Sequence, residues 1–214
     1  MSGSTAAVRT RALILTVAGL IGLPFLATAQ LSFVIVGNTV TITGYSGPGG
    51  TVTVPDTLVG LPVTRIGNNA FHNHSEITGV TLGRHLIEVG RSAFESCTAL
   101  TQISIPDSVV NVDDRAFLNC SSLAQVEIGS GVNHIGSDTF HYCSALSAIT
   151  VSPENPVLSS ADGVVYDRNR TRLLQCPWGR TGTLAIPGTT TEIGTRAFYN
   201  CAILTEVLVP DSIT

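Results

Sequence analysis

Five cysteines are the most reactive residues that this sequence offers. Cys97, Cys120 and Cys143 recur at a constant interval, and Cys201 follows in the same local context. Such cysteines could pair as disulfides or stack as a column of buried thiols. Equivalent side chains of stacked strands point in parallel, whereas a disulfide needs Cβ atoms that converge, so we favour the thiol column. Cys176 lies outside the pattern, and we expect it to be the most reactive thiol.

A second chemical cluster is rich in arginine. Arg168, Arg170, Arg172 and Arg180 are four of the nine arginines that follow residue 29, and they lie close in sequence to Trp178. Arginine and aromatic residues are enriched at binding hot spots. The cluster is therefore either a solvated hairpin tip or a contact site for an acidic protein or a polysaccharide.

Two histidines and two aspartates have spacings that suggest a metal site or acid–base chemistry. His72 and His74 flank one asparagine, but no third ligand has a suitable spacing. Asp113 and Asp114 stand directly before a repeated segment, where a carboxylate is typical of a turn cap. No nucleophile is paired with a base in the sequence. We therefore expect no enzyme activity, no metal and no cofactor.

A 23-residue repeat organises the chain around phenylalanine. Its markers are Phe71, Phe94, Phe117, Phe140 and, after a longer gap, Phe198. A period in the twenties is typical of a solenoid, because one unit cannot bury its apolar face alone. Apolar residues at spacings of three and four around each Phe predict a short helical turn, and the alternating pattern that follows predicts a strand. The expected fold class is an α/β repeat in which these Phe and Cys positions form the core.

Two segments break the period and define the expected domains. Residues 30–63 contain a hairpin pattern and a partial first coil, and we expect them to cap the N-terminal end of the stack. Residues 64–214 form the solenoid, which is interrupted by an insertion with a second hairpin pattern at 152–186. Because the sequence stops in mid-repeat, we expect a solenoid truncated at its C-terminal end.

Residues 1–29 have the pattern of a secretory signal peptide. Arg9 and Arg11 precede an apolar stretch at 12–26, and a small-residue cleavage pattern ends at Ala29. An uncleaved membrane anchor is the alternative, but the stretch is short for a membrane span. No later segment is long and apolar enough to cross a bilayer. Cleavage near Ala29 would therefore leave a secreted or cell-surface chain.

The charge balance argues against nucleic acid as a partner. After residue 29 the chain has nine arginines, no lysine and fifteen acidic residues, which is a formal net charge of −6. Basic residues that neutralise phosphates provide most of the affinity for nucleic acid, and this chain has no basic stripe. We expect an extracellular or surface protein, or a polysaccharide, as the partner.

The repeat frame Ile-Gly-x-x-Ala-Phe-x-x-Cys-x-x-Leu-x-x-Val-x-Ile-Pro resembles that of the BspA-like leucine-rich repeat proteins of bacterial surfaces. Residues 64–151 and 187–212 carry the resemblance, with His74 in place of Cys in the first coil and Thr139 in place of Ala in the fourth. The resemblance implies a right-handed leucine-rich-repeat solenoid displayed outside the cytoplasm. Members of the family are associated with adhesion and with binding of host or matrix proteins.

The strand face of the solenoid is a further candidate binding surface. Gln102 and Ser104 in one coil and Gln125 and Glu127 in the next are expected to point outward from it. A small, neutral face of this kind suits a flat protein contact. These features favour an extracytoplasmic, non-catalytic protein-binding or adhesion module. A structural spacer or targeting region of a larger envelope protein is the alternative.

Overall fold

The computed structural model describes residues 31–214, which form a β-solenoid of about seven coils. Its strands are β1 (Leu31–Val36), β2 (Thr39–Tyr45), β3 (Gly50–Thr53), β4 (Thr57–Leu58), β5 (Leu61–Ile66), β6 (Ile77–Thr81), β7 (Glu88–Val89), β8 (Gln102–Ile105), β9 (Asn111–Val112), β10 (Gln125–Ile128), β11 (His134–Ile135), β12 (Ala148–Val151), β13 (Leu158–Ala161), β14 (Val164–Asp167), β15 (Arg172–Gln175), β16 (Gly182–Ala185), β17 (Glu192–Ile193) and β18 (Leu204–Leu208). The predicted signal peptide lies outside the described residues.

Two sets of parallel strands run along the stack. One coil contributes one strand to each set: β5, β7, β9 and β11 pair in order along one side, and β8, β10 and β12 pair along the other. The register follows the repeat period, so Ile103 lies beside Val126, and Val126 lies beside Ile149. These apolar residues are buried while their polar neighbours in the strand are exposed, as the period of two requires.

The segment around each Phe is a run of tight turns, which corrects the prediction of short helical turns. The N–H groups of Ser92, Phe94 and Ser96 donate to carbonyls of the next coil at 2.7–3.0 Å, whereas those of Ala93 and Glu95 donate three residues back within their own coil. An α-helix would need each N–H to donate four residues back in the same segment. Every second backbone N–H of this segment instead donates to the neighbouring coil. No described residue between 31 and 214 is helical.

Left-handed backbone reinforces this turn geometry. Ser92 and Ser96 have φ values of 53° and 63°, which do not occur inside a right-handed helix. The same two positions have positive φ in the other Phe-containing coils, at Asn69 and Asn73, Arg115 and Asn119, Asp138 and Tyr142, and Arg196 and Asn200. The apolar residues at spacings of three and four around each Phe are therefore buried as expected, but the backbone that carries them is not helical.

An antiparallel pair precedes the coils at the N-terminal end. β1 and β2 pair along their whole length, and β2 continues as the parallel neighbour of β5. Phe33, Val40 and Ile42 from this pair are buried in the main core. Tyr45 lies with its ring centroid 5.6 Å from that of Phe71, so the pair covers the first phenylalanine of the stack.

A column of aromatic rings occupies the centre of the main core. Phe71, Phe94, Phe117 and Phe140 are at most 1% exposed. Successive ring centroids are 4.8, 5.2 and 5.7 Å apart, with interplanar angles of 3–11°. Each ring therefore needs its neighbours above and below, which is the packing expected of a repeat that cannot fold as a single unit.

The inserted hairpin comprises β14 and β15, which are antiparallel as predicted, together with β13, which is antiparallel to β14 on its other side. It is part of the core and does not loop out of the stack. β14 is buried on both faces: Val165 packs into the main core, whereas Val164 and Tyr166 pack into a second, C-terminal core. Because side chains alternate along a strand, one strand can serve both cores. β14 therefore separates the two halves of the solenoid.

The stack resumes within the region that the sequence analysis assigned to the insertion. β15 is parallel to β17, with Leu173 beside Ile193, and β16 is parallel to β18, with Leu184 beside Val207. Leu173 and Ile193 are closer in sequence than one standard period, so β15 and β16 belong to a shortened coil. Its Phe position holds a different residue: the Cys176 N–H donates to Ala197 in the same way that the Phe71 N–H donates to Ala93.

Candidate functional site

An open cleft of about 620 Å³ lies where the hairpin meets the ends of β12 and β16. The β12–β13 connection and β13 itself form one wall, and the turn between β14 and β15 forms the other. The lining residues are Val151, Ser152, Pro153, Ser159, Ser160, Arg168, Asn169, Arg170, Pro187 and Thr189. Two of them are arginines and none of them is acidic.

Backbone carbonyls orient the two cleft arginines. Arg168 donates through Nη1 to the Pro153 carbonyl at 2.8 Å, and Arg170 donates through Nη2 to the Ser160 carbonyl at 3.2 Å. Both side chains belong to exposed residues. A guanidinium has five N–H donors, so one bond to a carbonyl positions the group and leaves most of its donors available. The cleft is therefore an electropositive surface on a chain with an excess of acidic residues.

The acidic residue of the same turn, Asp167, is hydrogen-bonded within the turn. Its carboxylate accepts hydrogen bonds from the Thr171 hydroxyl at 2.6 Å and from the Arg172 N–H at 2.8 Å. Partial burial alone would raise the pKa of Asp167, but these hydrogen bonds outweigh it and lower the pKa. The ionised carboxylate thus closes the turn between β14 and β15 through these two bonds.

The other two arginines of the predicted cluster are paired with carboxylates. Arg172 lies 3.0 Å from Glu192, and Arg180, with a side chain only 13% exposed, forms an ion pair with Asp162. Among the described residues, Arg168 and Arg170 are in no such ion pair. The structure thus divides the predicted set: two arginines share the cleft, two are neutralised, and Trp178 lies with a different group.

Trp178 belongs to an aromatic cluster that the sequence analysis missed. Its ring packs edge-on against Tyr142 at 4.9 Å and lies 6.4 Å from Tyr199, which in turn stacks on His141 at 5.0 Å. His141 and Tyr199 occupy the same position of the repeat, which was the available signal. They stack directly although the shortened coil lies between their two coils in the sequence.

The four predicted strand-face residues line one shallow groove. Gln102 lies beside Gln125, and Ser104 lies beside Glu127, in the register of β8 and β10. The groove measures about 500 Å³ and extends over neighbouring polar positions of β3 and β6. Glu127 is the one charged residue in its lining. This surface offers amide and hydroxyl groups for hydrogen bonding and little charge for recognition.

The cysteines have two kinds of environment. Cys97, Cys120 and Cys143 are fully buried, and their Sγ atoms donate at 3.1–3.2 Å to carbonyls of Phe residues one coil earlier. Burial raises the pKa of Cys97 to about 12, so this thiol stays protonated at neutral pH. The expectation that Cys176 is the most reactive thiol fails, because Cys176 is only 2% exposed whereas Cys201 is partly exposed.

The histidines and aspartates considered for chemistry have structural partners. His74 Nδ1 lies 2.7 Å from the Glu76 carboxylate, and His72 Nε2 lies 3.8 Å from that of Glu95. Asp114, expected to cap a helical turn, instead accepts the N–H of Ser137 one coil further along, at 2.7 Å. In the described part of the chain, no three ligating side chains come together as a metal site.

These features define the chain as a β-solenoid repeat protein with two open polar surfaces. Residues 53–161 and 180–214 match the BspA type leucine-rich repeat region in six copies. The chain belongs to this family, which confirms the resemblance seen in the repeat frame. Comparison with curated proteins gave no match. Residues 31–214 include no helix with the length and hydropathy needed to span a membrane.

Solved structures of bacterial repeat proteins share the fold. A leucine-rich repeat protein from Eubacterium ventriosum superposes with a TM-score of 0.57 at 18% identity, covering 86% of this chain and 59% of that one. The pneumococcal vaccine antigen PcpA gives 0.52 at 17% identity, over 87% and 70%. The leucine-rich repeat protein of T. pallidum gives 0.51 at 23% identity, over 85% and 80%. The present chain thus spans about three fifths of the length of the Eubacterium protein.

Proposed function

We propose that this chain is an extracytoplasmic, non-catalytic binding module that recognises acidic groups of an extracellular or surface protein. The observation that carries the proposal is the hairpin cleft, where Arg168 and Arg170 have no carboxylate partner among residues 31–214. The chain is acidic overall, so a concave site lined by two arginines and no acidic residue is an exception to its charge pattern. Their position suits a partner that supplies the missing negative charge.

The chemistry of the cleft favours carboxylates as the recognised groups. Guanidinium and carboxylate groups form paired, charge-assisted hydrogen bonds, which are shorter and stronger than neutral ones. The carbonyls of Pro153 and Ser160 hold the two arginines before binding, which lowers the entropic cost of recognition. Ser159, Ser160 and Thr189 add hydroxyl groups around them.

The strand face provides the second part of the proposed surface. Val151 at the end of β12 donates its N–H to the Ser160 side chain of β13, so the hairpin stands directly beside the last strand of this face. A partner that reaches from the cleft onto the face would meet the Gln102, Ser104, Gln125 and Glu127 groove. Interfaces of this type combine a few strong anchors with a wider polar contact.

Extracytoplasmic display is the cellular part of the proposal. It is supported by the signal-peptide pattern of residues 1–29, and by the family, whose repeat frame is shared with proteins of bacterial surfaces. Secretion is tested by tracking the chain with an epitope tag at its C-terminus. Mature protein that begins near residue 30 outside the cytoplasm supports the proposal, whereas full-length protein retained inside the cell contradicts it.

Binding is tested with the chain from residue 30 onward and two immobilised acidic probes, poly-glutamate and polygalacturonate. We expect salt-sensitive binding of poly-glutamate that weakens at least tenfold in the variant Arg168→Gln/Arg170→Gln, because each lost charge-assisted bond is worth about 1.5–3 kcal/mol. The matched control is Arg91→Gln/Arg115→Gln, which removes the same charge from exposed positions outside the hairpin. Arg115 also shares the positive φ of Arg170.

Three outcomes contradict or redirect the proposal. Equal loss of binding in both double variants would show that net charge, and not the cleft, controls recognition. Binding of polygalacturonate alone would move the partner from proteins to acidic polysaccharides. Binding of neither probe, together with no adherence of the purified chain to matrix proteins, would favour the structural-spacer function.

A further inference from the structure

The shortened coil places a cysteine where the other coils have phenylalanine. The Cys176 N–H donates to the Ala197 carbonyl at 2.8 Å, as the Phe71 N–H donates to Ala93 at 2.7 Å. A small thiol therefore stands at the point where the aromatic column would continue. Cys176 packs in the C-terminal core with Tyr166 and Leu173, and that core is separate from the one that holds the four stacked rings.

A second cysteine from the next coil lies against it. The Cys201 Sγ is 3.5 Å from the carbonyl oxygen of Cys176 and 3.6 Å from that of Pro177. Cys201 also packs against the C-terminal core that contains Cys176. Cys176 is buried at the inner end of this contact, whereas Cys201 is partly exposed at its outer end.

The relation between these two cysteines differs from that within the Cys97, Cys120 and Cys143 column. Column members occupy the same position in successive coils, so their Cβ vectors run parallel and all three are sealed from solvent. Cys176 occupies a Phe position and Cys201 a Cys position, so the two thiols belong to non-equivalent positions of adjacent coils and pack in the same core. Convergent Cβ vectors are the condition for a disulfide that parallel vectors do not meet.

The charge states of the pair suit thiol–disulfide exchange. The neighbouring Cys176 thiol lowers the pKa of Cys201, the more exposed of the two. The neighbouring Cys201 thiol and burial raise the pKa of Cys176. Cys201 is therefore the group that ionises first and that an external reagent can reach, and Cys176 is placed to act second.

We propose that Cys176 and Cys201 are a disulfide-forming pair that covalently fastens the last coil to the shortened coil. The oxidant is a disulfide of low molecular weight or of a thiol oxidoreductase. The Cys201 thiolate attacks one of its sulfurs, forming a mixed disulfide and releasing one thiolate. Cys176 then loses its proton, attacks Cys201 Sγ and expels the second thiolate. Two electrons and two protons leave the pair, and the external disulfide becomes two thiols.

The bond has a structural purpose at this place in the fold. The aromatic column stops at Phe140, and Phe198 of the last coil is only partly buried. The last coil therefore lacks the stacking that holds its predecessors together. A bridge between Cys176 and Cys201 closes a loop of about one coil and removes loop-closure entropy from the unfolded chain, which is where a disulfide exerts most of its effect.

The test uses the purified chain from residue 30 onward, incubated with oxidised glutathione and analysed under denaturing, non-reducing conditions. We expect three alkylatable thiols out of five, a mass about 2 Da lower than that of the reduced protein, and one linked peptide pair containing Cys176 and Cys201. The oxidised protein should melt roughly 5–10 °C above the reduced form, from the stabilisation typical of such a loop. Hydrogen exchange should slow in β16 and β18 upon oxidation.

Two variants separate this pair from the buried column. Cys97→Ser should still lose two thiols on oxidation, whereas Cys201→Ser should lose none and should lack the melting shift. Five free thiols after oxidation of the native protein, a glutathione adduct that persists on Cys201, or a bridge within the Cys97, Cys120 and Cys143 column would each overturn the proposal. The measurement on the native protein needs no variant, so poor folding of a variant does not remove the test.

Discussion

Asn155 holds the inserted hairpin against the preceding coils through four side-chain hydrogen bonds. Its Nδ2 donates to the carbonyls of Gly129 and Val132 at 3.0 and 2.8 Å, and its Oδ1 accepts from the N–H groups of Val157 and Leu158 at 2.9 and 2.8 Å. The residue is fully buried. All four capacities of the amide are therefore used, and β13 begins at one of its partners.

Replacing Asn155 with Ala should destabilise the protein by about 4 kcal/mol, because a hydrogen bond contributes about 1 kcal/mol net. A backbone group left buried without a partner costs about 1–3 kcal/mol. Asn155→Ala removes four bonds and leaves the Val132 carbonyl and the N–H groups of Val157 and Leu158 without these partners, whereas the Gly129 carbonyl still accepts from the Val132 N–H. Hydrogen exchange should accelerate first in β13 and β14, because the hairpin loses its anchor.

Asn155→Asp isolates the donor half of the interaction, because it preserves size and the accepting oxygen. At neutral pH its carboxylate would face the Gly129 and Val132 carbonyls without a proton to donate. The pKa of this buried aspartate would be raised above its ordinary value near 3.9, so the penalty is full above the raised pKa and shrinks as the pH falls towards about 3.9. Protonation supplies one of the two missing donors.

Urea unfolding, read by circular dichroism and by hydrogen exchange, is the assay for both variants. Asn133→Ala is the matched control, since Asn133 is exposed and precedes β11. The control should remain within about 0.5 kcal/mol of the native protein. If Asn155→Ala lost less than about 1 kcal/mol, the cost of a single hydrogen bond, the assignment of Asn155 as the hairpin anchor would be refuted. A variant Asn155→Asp that matched the native protein at pH 7 would refute it as well.

Three further predictions concern single aromatic side chains. The Tyr166 hydroxyl is buried without a hydrogen-bond partner among the described residues, and burial raises its pKa to about 12. Tyr166→Phe should therefore leave the free energy of unfolding in urea unchanged or raise it by about 1 kcal/mol. A clear loss of stability would reveal a missed partner. Phe117 stacks on two phenylalanines, so Phe117→Leu should lower the free energy of unfolding by about 2–3 kcal/mol. Phe198→Leu should lower it less, because Phe198 is only partly buried. Equal losses for both variants in thermal denaturation would contradict a stabilising role of the ring column. Burial lowers the pKa of His141 from 6.5 in the folded protein, so this histidine takes up its proton at a higher pH in the unfolded chain than in the folded one. Stability should therefore fall as the pH drops from about 7 to 5. His141→Gln should reduce this pH dependence of stability, and an unchanged pH dependence would exclude His141 as its source.

The repeat could be predicted from the sequence because it depends on local spacing. Phe71, Phe94, Phe117 and Phe140 recur at a constant interval, and rings at equal positions in equal coils must stack. The alternation of polar and apolar residues likewise identified Gln102 and Gln125 as outward-facing neighbours, which is where β8 and β10 place them. These inferences require only that each coil has the same length as the one before it.

The predictions failed where a neighbouring coil supplies the partner. The apolar residues Phe94, Cys97 and Leu100 have spacings that suit a helix. The N–H groups of Ser92, Phe94 and Ser96 nevertheless donate to the next coil, and the segment becomes a run of turns. Cys176 could not be placed in a Phe position, because its coil has neither the standard length nor the standard aromatic residue. The arginine cluster was one group in sequence, but the fold pairs Arg172 and Arg180 with carboxylates and leaves Arg168 and Arg170 in the cleft.

By itself, the sequence determined the period, the family and the side chains that are buried in each standard coil, since all three follow from local spacing. The tertiary structure alone decided which backbone groups bond between coils, how β14 serves two cores at once, and which cysteines and arginines meet. The physical reason is that a hydrogen bond or a contact across coils joins residues that are about a whole coil apart in the sequence. A group in one coil meets its partner only after neighbouring coils have stacked, and where one coil has an irregular length the sequence spacing does not show which residues will meet.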